Sequence, residues 1–312
     1  MTIPFKADIE PTDLFSKSVP YRRAARIFQF PLVRFVVVAL FLLPVFACNA
    51  LVVFFVIEQV EEPLASNVDI VRMALTIPLL LLSYGLYCRT FEKRKALEIS
   101  TPGAGKEWTV GFLVATTLVV LHVALISIFG SFEIVEYRPP SILLKNILLF
   151  GMGSLFQDLI LLGVLFRLVE EFAGTWVALA VSLVIFGFAH LANPNQTPVT
   201  AIFLVLSSIF LIAPFILTRR IWLSWGIHAG WNFMQAGVFG MANSGILFPG
   251  WMVTQVGGAE WLTGGAIGLE GSYLASAIDL SIGLLILFVA INAGKIVEPR
   301  WKRLNRDSAS ND

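Results

Sequence analysis

Two short stretches stand out in an otherwise oily sequence: Phe186-Gly187-Phe188-Ala189-His190 and His228-Ala229-Gly230-Trp231-Asn232. In each, the first and fifth residues share one helix face. A third apolar stretch carries Gln157-Asp158. One acid, two imidazoles and an amide on three helices can line a single cavity. Imidazole and carboxylate are standard zinc ligands, so Asp158, His190 and His228 form a candidate metal set. The same groups could instead polarise water and hold an oxyanion, which is what amide hydrolysis needs. The ordinary alternative is that each polar group only hydrogen-bonds a neighbouring helix. That is the preferred reading for His122, which lacks patterned neighbours. Asp279 likewise reads as a packing or local-solvation residue.

These residues must be positioned by membrane helices. The chain has 312 residues, of which 57% are hydrophobic and 14% charged, and its mean hydropathy is +0.82. Soluble domains carry about 25% charged residues, so an all-α, polytopic membrane bundle is expected. A net charge of +1, without arginine-rich or zinc-knuckle patterns, gives no sign of a nucleic-acid partner. The first ~30 residues are polar and proline-bearing, unlike a cleavable signal. Stretches of about 20 apolar residues predict eight transmembrane helices: 33–57, 68–87, 108–128, 147–168, 176–191, 199–217, 221–239 and 273–293. Cys48 and Cys88 fall near opposite membrane faces, so no disulfide is expected.

Loop charges set the orientation. Arg22, Arg23 and Arg26 precede the first span, and Glu58, Glu61 and Glu62 follow it. Arg89, Lys93, Arg94, Lys95 and Lys106 flank the second loop, Arg167 the fourth, Arg219-Arg220 the sixth, and Lys295, Arg300, Lys302, Arg303 and Arg306 the C-terminal tail. The third loop is mixed, and the seventh, 240–272, has two glutamates and no base. The positive-inside rule makes the protein a multi-pass cell-membrane protein with both termini cytoplasmic. The aromatic, glycine-rich seventh loop reads as an external cap on the headgroup region.

The three motifs together resemble the CPBP (CAAX protease and bacteriocin-processing, ABI) family of intramembrane metalloproteases. That family's pattern is Glu-Glu-x-x-x-Arg on one helix, Phe-x-x-x-His on the next, and His-x-x-x-Asn or His-x-x-x-Asp two helices later. The stretch Phe186 to Pro194 is similar to the second motif, His228 to Asn232 to the third, and Gly163 to Leu168 to the run after the first. The resemblance implies that the first glutamate and first histidine activate water or bind a metal. It also implies that the second histidine and the asparagine hold the oxyanion. A divalent metal such as zinc is then the candidate cofactor. Membrane lipid and a membrane protein or peptide, lipidated or not, are the candidate partners.

The first motif departs from the pattern. Gln157-Asp158 stands where two glutamates are expected, and Leu162 where the arginine is. A neutral amide cannot be a general base, so Gln157 marks a degenerate position. Glu170-Glu171 reads as a solvated loop pair and not as a substitute. Asp158 is left as the remaining acid. The preferred reading is an endopeptidase hydrolysing peptide bonds of membrane-associated proteins or peptides. In it Asp158 and His190 handle water, and His228 and Asn232 hold the oxyanion. The alternative is an inactive family member acting as a membrane binding, scaffold or regulatory protein. A proton-coupled transporter comes third, since no inverted repeat is visible. The domain organisation follows: a tail at 1–32, flanking helices 1–3 at 33–142, a family-like core at 143–240, and the external loop, last helix and tail at 241–312.

The charge alternation predicts that reporters fused to either terminus are cytoplasmic and that a tag within 240–272 is external. A reporter-fusion assay that finds an external C-terminus would overturn the eight-helix topology.

Overall fold

The computed structural model describes residues 9–16, 30–61 and 64–303. Arg22, Arg23, Arg26, Glu62 and Arg306, used above for orientation, lie outside them. The protein is a helical membrane bundle. It runs α1 (Pro31–Phe55), α2 (Leu64–Thr90), α3 (Ala104–Phe129), α4 (Ile142–Asp158), α5 (Arg167–Ala173), α6 (Thr175–His190), α7 (Pro198–Ser207), α8 (Ile209–Thr218), α9 (Ile221–Asn232), α10 (Glu260–Thr263) and α11 (Tyr273–Asn292). Six helical segments are long and apolar enough to cross a membrane, with α4 and α5 joined as Ile142–Ala173 and α7 and α8 as Pro198–Thr218. Thr175–His190 is a shorter apolar helix. The seventh expected segment is α9 with its extension Phe233–Val238.

The structure departs from the periodicity reading in places. The sixth segment breaks at Ser208, which ends α7 and precedes α8. The bundle also carries a small sheet that hydropathy did not reveal: β1 (Ser131–Tyr137) pairs antiparallel with β2 (Met252–Gly257). It ties the third loop to the seventh outside the helices.

Two π-helical segments matter for the site. Leu159–Phe166 begins directly after Asp158, and Phe233–Val238 directly after Asn232. A π turn leaves carbonyls without their usual partners, and side chains supply them. Gly163 O accepts from the Tyr84 hydroxyl at 2.6 Å and from Arg167 Nε at 2.8 Å. Gly237 O accepts from Asn146 Nδ2 at 3.1 Å and from the Trp251 amide at 2.8 Å.

α9 lies against α3 at backbone contact. A Cβ on Gly226 would meet Trp108 O at 2.1 Å, and one on Gly230 would meet Phe112 O at 2.7 Å. From the other side, a Cβ on Gly111 would meet Leu223 O at 2.3 Å. Small residues four apart permit such close crossings in membranes. The glycines occupy the α3-facing side of α9, so His228, two residues on from Gly226, faces away from α3.

The membrane face that carries both ends of the described chain holds an ionic knot. Glu92, fully buried, receives Arg34, Arg94 at 2.7 Å and Arg167 at 2.9 Å. Arg94 also grips Glu98 at 2.6 Å, and Arg34 reaches Glu171 at 2.8 Å. Glu170 is fully buried between Arg219, at 2.5 Å, and the Thr175 hydroxyl, at 2.6 Å. Glu170 and Glu171 are therefore not a solvated pair: they close the bundle, because a charge at this depth persists only when matched. Arg219 and Arg220 are buried too, Arg220 donating to Pro102 O and Ser100 O at 2.7 and 2.8 Å.

Burial pushes the Glu92 carboxyl up, but Arg167, Arg94 and Arg34 outweigh it and hold Glu92 below the usual carboxylate range. A carboxylate lowered on folding stabilises the fold above its unfolded pKa and loses that contribution as pH falls through the folded one. Glu92→Gln is expected to cost about 3–5 kcal/mol, because it leaves three guanidinium groups uncompensated. Unfolding in detergent should show the variant flatter than the wild type as pH drops below the ordinary carboxylate range. A wild-type-like midpoint and pH profile would show that the knot is not stabilising.

Candidate active site

α4, α6 and α9 each end in a site residue. Asp158 closes α4, His190 closes α6 and Asn232 closes α9. Three polar ties join one face of α4 to α9. Trp225 Nε1 donates to Gly151 O at 2.8 Å, Asn232 Nδ2 to Ser154 Oγ at 3.4 Å, and His228 Nδ1 meets Asp158 Oδ1 at 3.0 Å. Asp158 is fully buried and its Oδ2 has no partner.

A cavity of about 440 Å³ opens beside these ties. Gln157, His190, His228 and Asn232 all line it, and Asp158 sits behind His228. Phe186 stands between the two imidazoles, with ring centroids 4.5 Å from His190 and 6.3 Å from His228. The four-residue spacings read from the sequence therefore converge on one space.

The orientation of each group follows from its partner. With Asp158 ionised, its Oδ1 accepts from His228 Nδ1 at 3.0 Å, and Nε2 is then the lone-pair nitrogen. His190 Nδ1 donates to Phe186 O at 2.7 Å, which leaves its Nε2 free as well. Asn232 Oδ1 accepts from Asn243 Nδ2 at 2.9 Å, so its NH2 group is the side that can donate. His122 is elsewhere, its Nδ1 spent on Leu118 O at 2.7 Å and its ring against Trp231.

Asp158, His190 and His228 do not stand as a preformed metal set. Asp158 and His228 spend an oxygen and a nitrogen on each other. Among the described residues no group of three or more His, Cys, Asp or Glu is gathered to hold a metal ion.

The periodicity reading missed the contribution of the seventh loop. That loop is not only a cap on the headgroup region, since Asn243, Ser244, Ile246, Phe248 and Glu270 line the cavity. Glu270, 9% exposed, accepts from Gln235 Nε2 at 2.7 Å, Asn243 Nδ2 at 3.0 Å, Trp231 Nε1 at 3.3 Å and the Ser244 amide at 3.3 Å. Burial holds its carboxyl above the usual range, against the pull of those donors. A lone acid in the apolar run Gly268-Leu269-Glu270-Gly271 was the available signal. Asn243 and Ser154 carried none. Asp279 also lines the cavity.

Residues 139–234 match the family model described as type II CAAX prenyl endopeptidase Rce1-like. The Rce1-like segment spans α4 to α9 and so contains Gln157, Asp158, His190, His228 and Asn232. Asn243, Glu270 and Asp279 fall after it. No curated protein and no solved structure matched the chain.

The geometry separates the two histidines energetically. His190 is half-buried and bonds only within its own helix. His228 is the sole hydrogen-bond partner of the Asp158 carboxylate among the described residues. His190→Ala should leave stability nearly unchanged, whereas His228→Ala should cost about 1–3 kcal/mol by orphaning a buried acid. Adding Asp158→Leu to His228→Ala should recover part of that loss, as read by unfolding midpoints in detergent. Equal costs for the two single variants would contradict this assignment.

Proposed function

We propose that the chain is a membrane-embedded endopeptidase that hydrolyses a peptide bond of a membrane-associated protein or peptide. The observation that carries this reading is the His228–Asp158 pair at 3.0 Å, with His228 itself lining the cavity. A buried carboxylate on Nδ1 fixes the tautomer and steadies the imidazolium that forms when Nε2 takes a proton. His228 thus becomes the general base, a role that the motif reading had given to Asp158 and His190.

In this mechanism His228 Nε2 removes a proton from water, and the water oxygen attacks the scissile carbonyl. The negative charge moves to the carbonyl oxygen, where the Asn232 NH2 group donates to it. Asn243, anchored on Glu270, keeps that amide from turning over. Gln157 lines the same cavity and supplies a second amide donor. The glutamine that cannot be a base can still stabilise an oxyanion. His190, held by Phe186 O, offers Nε2 to the second water proton and orients the attack. The C–N bond then breaks, and the His228 imidazolium returns its proton to the leaving amine. Both termini are taken as cytoplasmic, which places the cavity, near the end of α6 and the seventh loop, in the outer half of the bilayer.

One observation favours a second reading, a binding or scaffold protein that does not hydrolyse: Gln157 stands where the family pattern has glutamate. Cleavage of membrane-tethered peptides by the purified protein separates the two. Asp158→Asn would turn the His228 tautomer and should lower the single-turnover rate by about 10³-fold or more. Gln157→Ala should lower it by only about 10²-fold, the effect of one oxyanion donor. The double change Gln157→Glu with Leu162→Arg gives Glu-Asp-x-x-x-Arg, which recovers the first carboxylate and the arginine of the family pattern. Cleavage by that variant and none by the wild type would establish the non-hydrolysing reading.

A further inference from the structure

We infer that the cavity holds a subsite for a basic side chain, lysine or arginine, of the bound peptide, with Asp279 as its anionic partner. The inference rests on the peptide-binding reading above and names the class of substrate.

Asp279 is 6% exposed and lines the cavity, and its Oδ1 has no hydrogen-bond partner. Among the described residues no cationic side chain pairs with it. It lies on α11 one turn before Gly283, whose Cβ would meet Phe210 N at 2.6 Å. That contact seats α11 against the start of α8 and turns Asp279 toward the break after α7. The hydroxyls at the break do not serve it, because Ser207 and Ser208 both donate to Leu204 O, at 3.2 and 2.5 Å.

The rest of the cavity offers no cation. No lysine or arginine lines it, and the second carboxylate on its wall, Glu270, is already satisfied by its four donors. Asp158 is paired with His228. An unpaired acid inside a membrane bundle is costly and points to a partner that arrives with the ligand. Phe210 and Trp231 also line the space, and aromatic faces favour an ammonium or guanidinium group.

The test uses two lipid-anchored peptides of identical sequence, one with a free lysine and one with acetyl-lysine, bound to the purified full chain in nanodiscs. Thermophoresis reads the affinities, so cleavage is not required. The lysyl peptide should bind about tenfold tighter. Asp279→Asn should abolish that difference without changing the affinity of the acetylated peptide, and Asp279→Glu should keep it. Equal affinities in the wild type would overturn the subsite while leaving the peptide-binding reading standing. A preference that survives Asp279→Asn would overturn the role of Asp279. Failure of both peptides to bind would overturn the subsite together with the peptide-binding reading beneath it. The wild-type comparison remains decisive should the Asp279→Asn protein fail to fold.

Discussion

Everything at the site depends on the backbone contact between α3 and α9. Lipid offers no hydrophobic drive for helix association, so close packing and satisfied polar groups must hold the bundle. Gly226 and Gly230 let α9 sit directly on the carbonyls of α3. That contact fixes the rotation of α9, and the rotation aims His228 and Asn232 at α4. Asp158 and Ser154 then meet them from one α4 face. A side chain at either glycine would push α9 outward and dissolve the arrangement.

The two membrane faces solve opposite problems. At the face with the chain ends, buried carboxylates and guanidinium groups are paired, with Glu92 shared by three arginines. This knot ties the ends of α1, α2 and α5 together. At the other face, polar groups are left with spare capacity. Asp158 has a free oxygen, two imidazoles keep a lone pair each, and Asp279 has an unpartnered oxygen. The groups with spare capacity stand in or beside the cavity, which is where chemistry can happen.

The seventh loop connects these themes. The β1–β2 pairing and the caps on its glycine-rich turns give it a fixed path over the bundle. Glu270 at its inner end collects donors from α9, from the following π turn and from the loop itself. That clamp reaches Asn232 through Asn243, so the loop helps set the orientation of a cavity amide. The family-matched segment supplies Gln157, Asp158, His190, His228 and Asn232, and Asn243 and Glu270, which tie down Asn232, lie beyond it.

The sequence alone determined the membrane bundle, because runs of about twenty apolar residues have no other stable home. It also determined which helices carry Gln157-Asp158, His190, and His228 with Asn232, because a spacing of four reports a shared face. Pairing was beyond its reach. Only the tertiary structure decided that His228 goes to Asp158, that Glu170 is buried on Arg219, and that Glu270 and Asp279 enter the cavity. Each of those outcomes depends on helix rotation and on a loop path. Both are set by contacts between residues far apart in the chain, whereas spacing along one helix records only what that helix shows on each face.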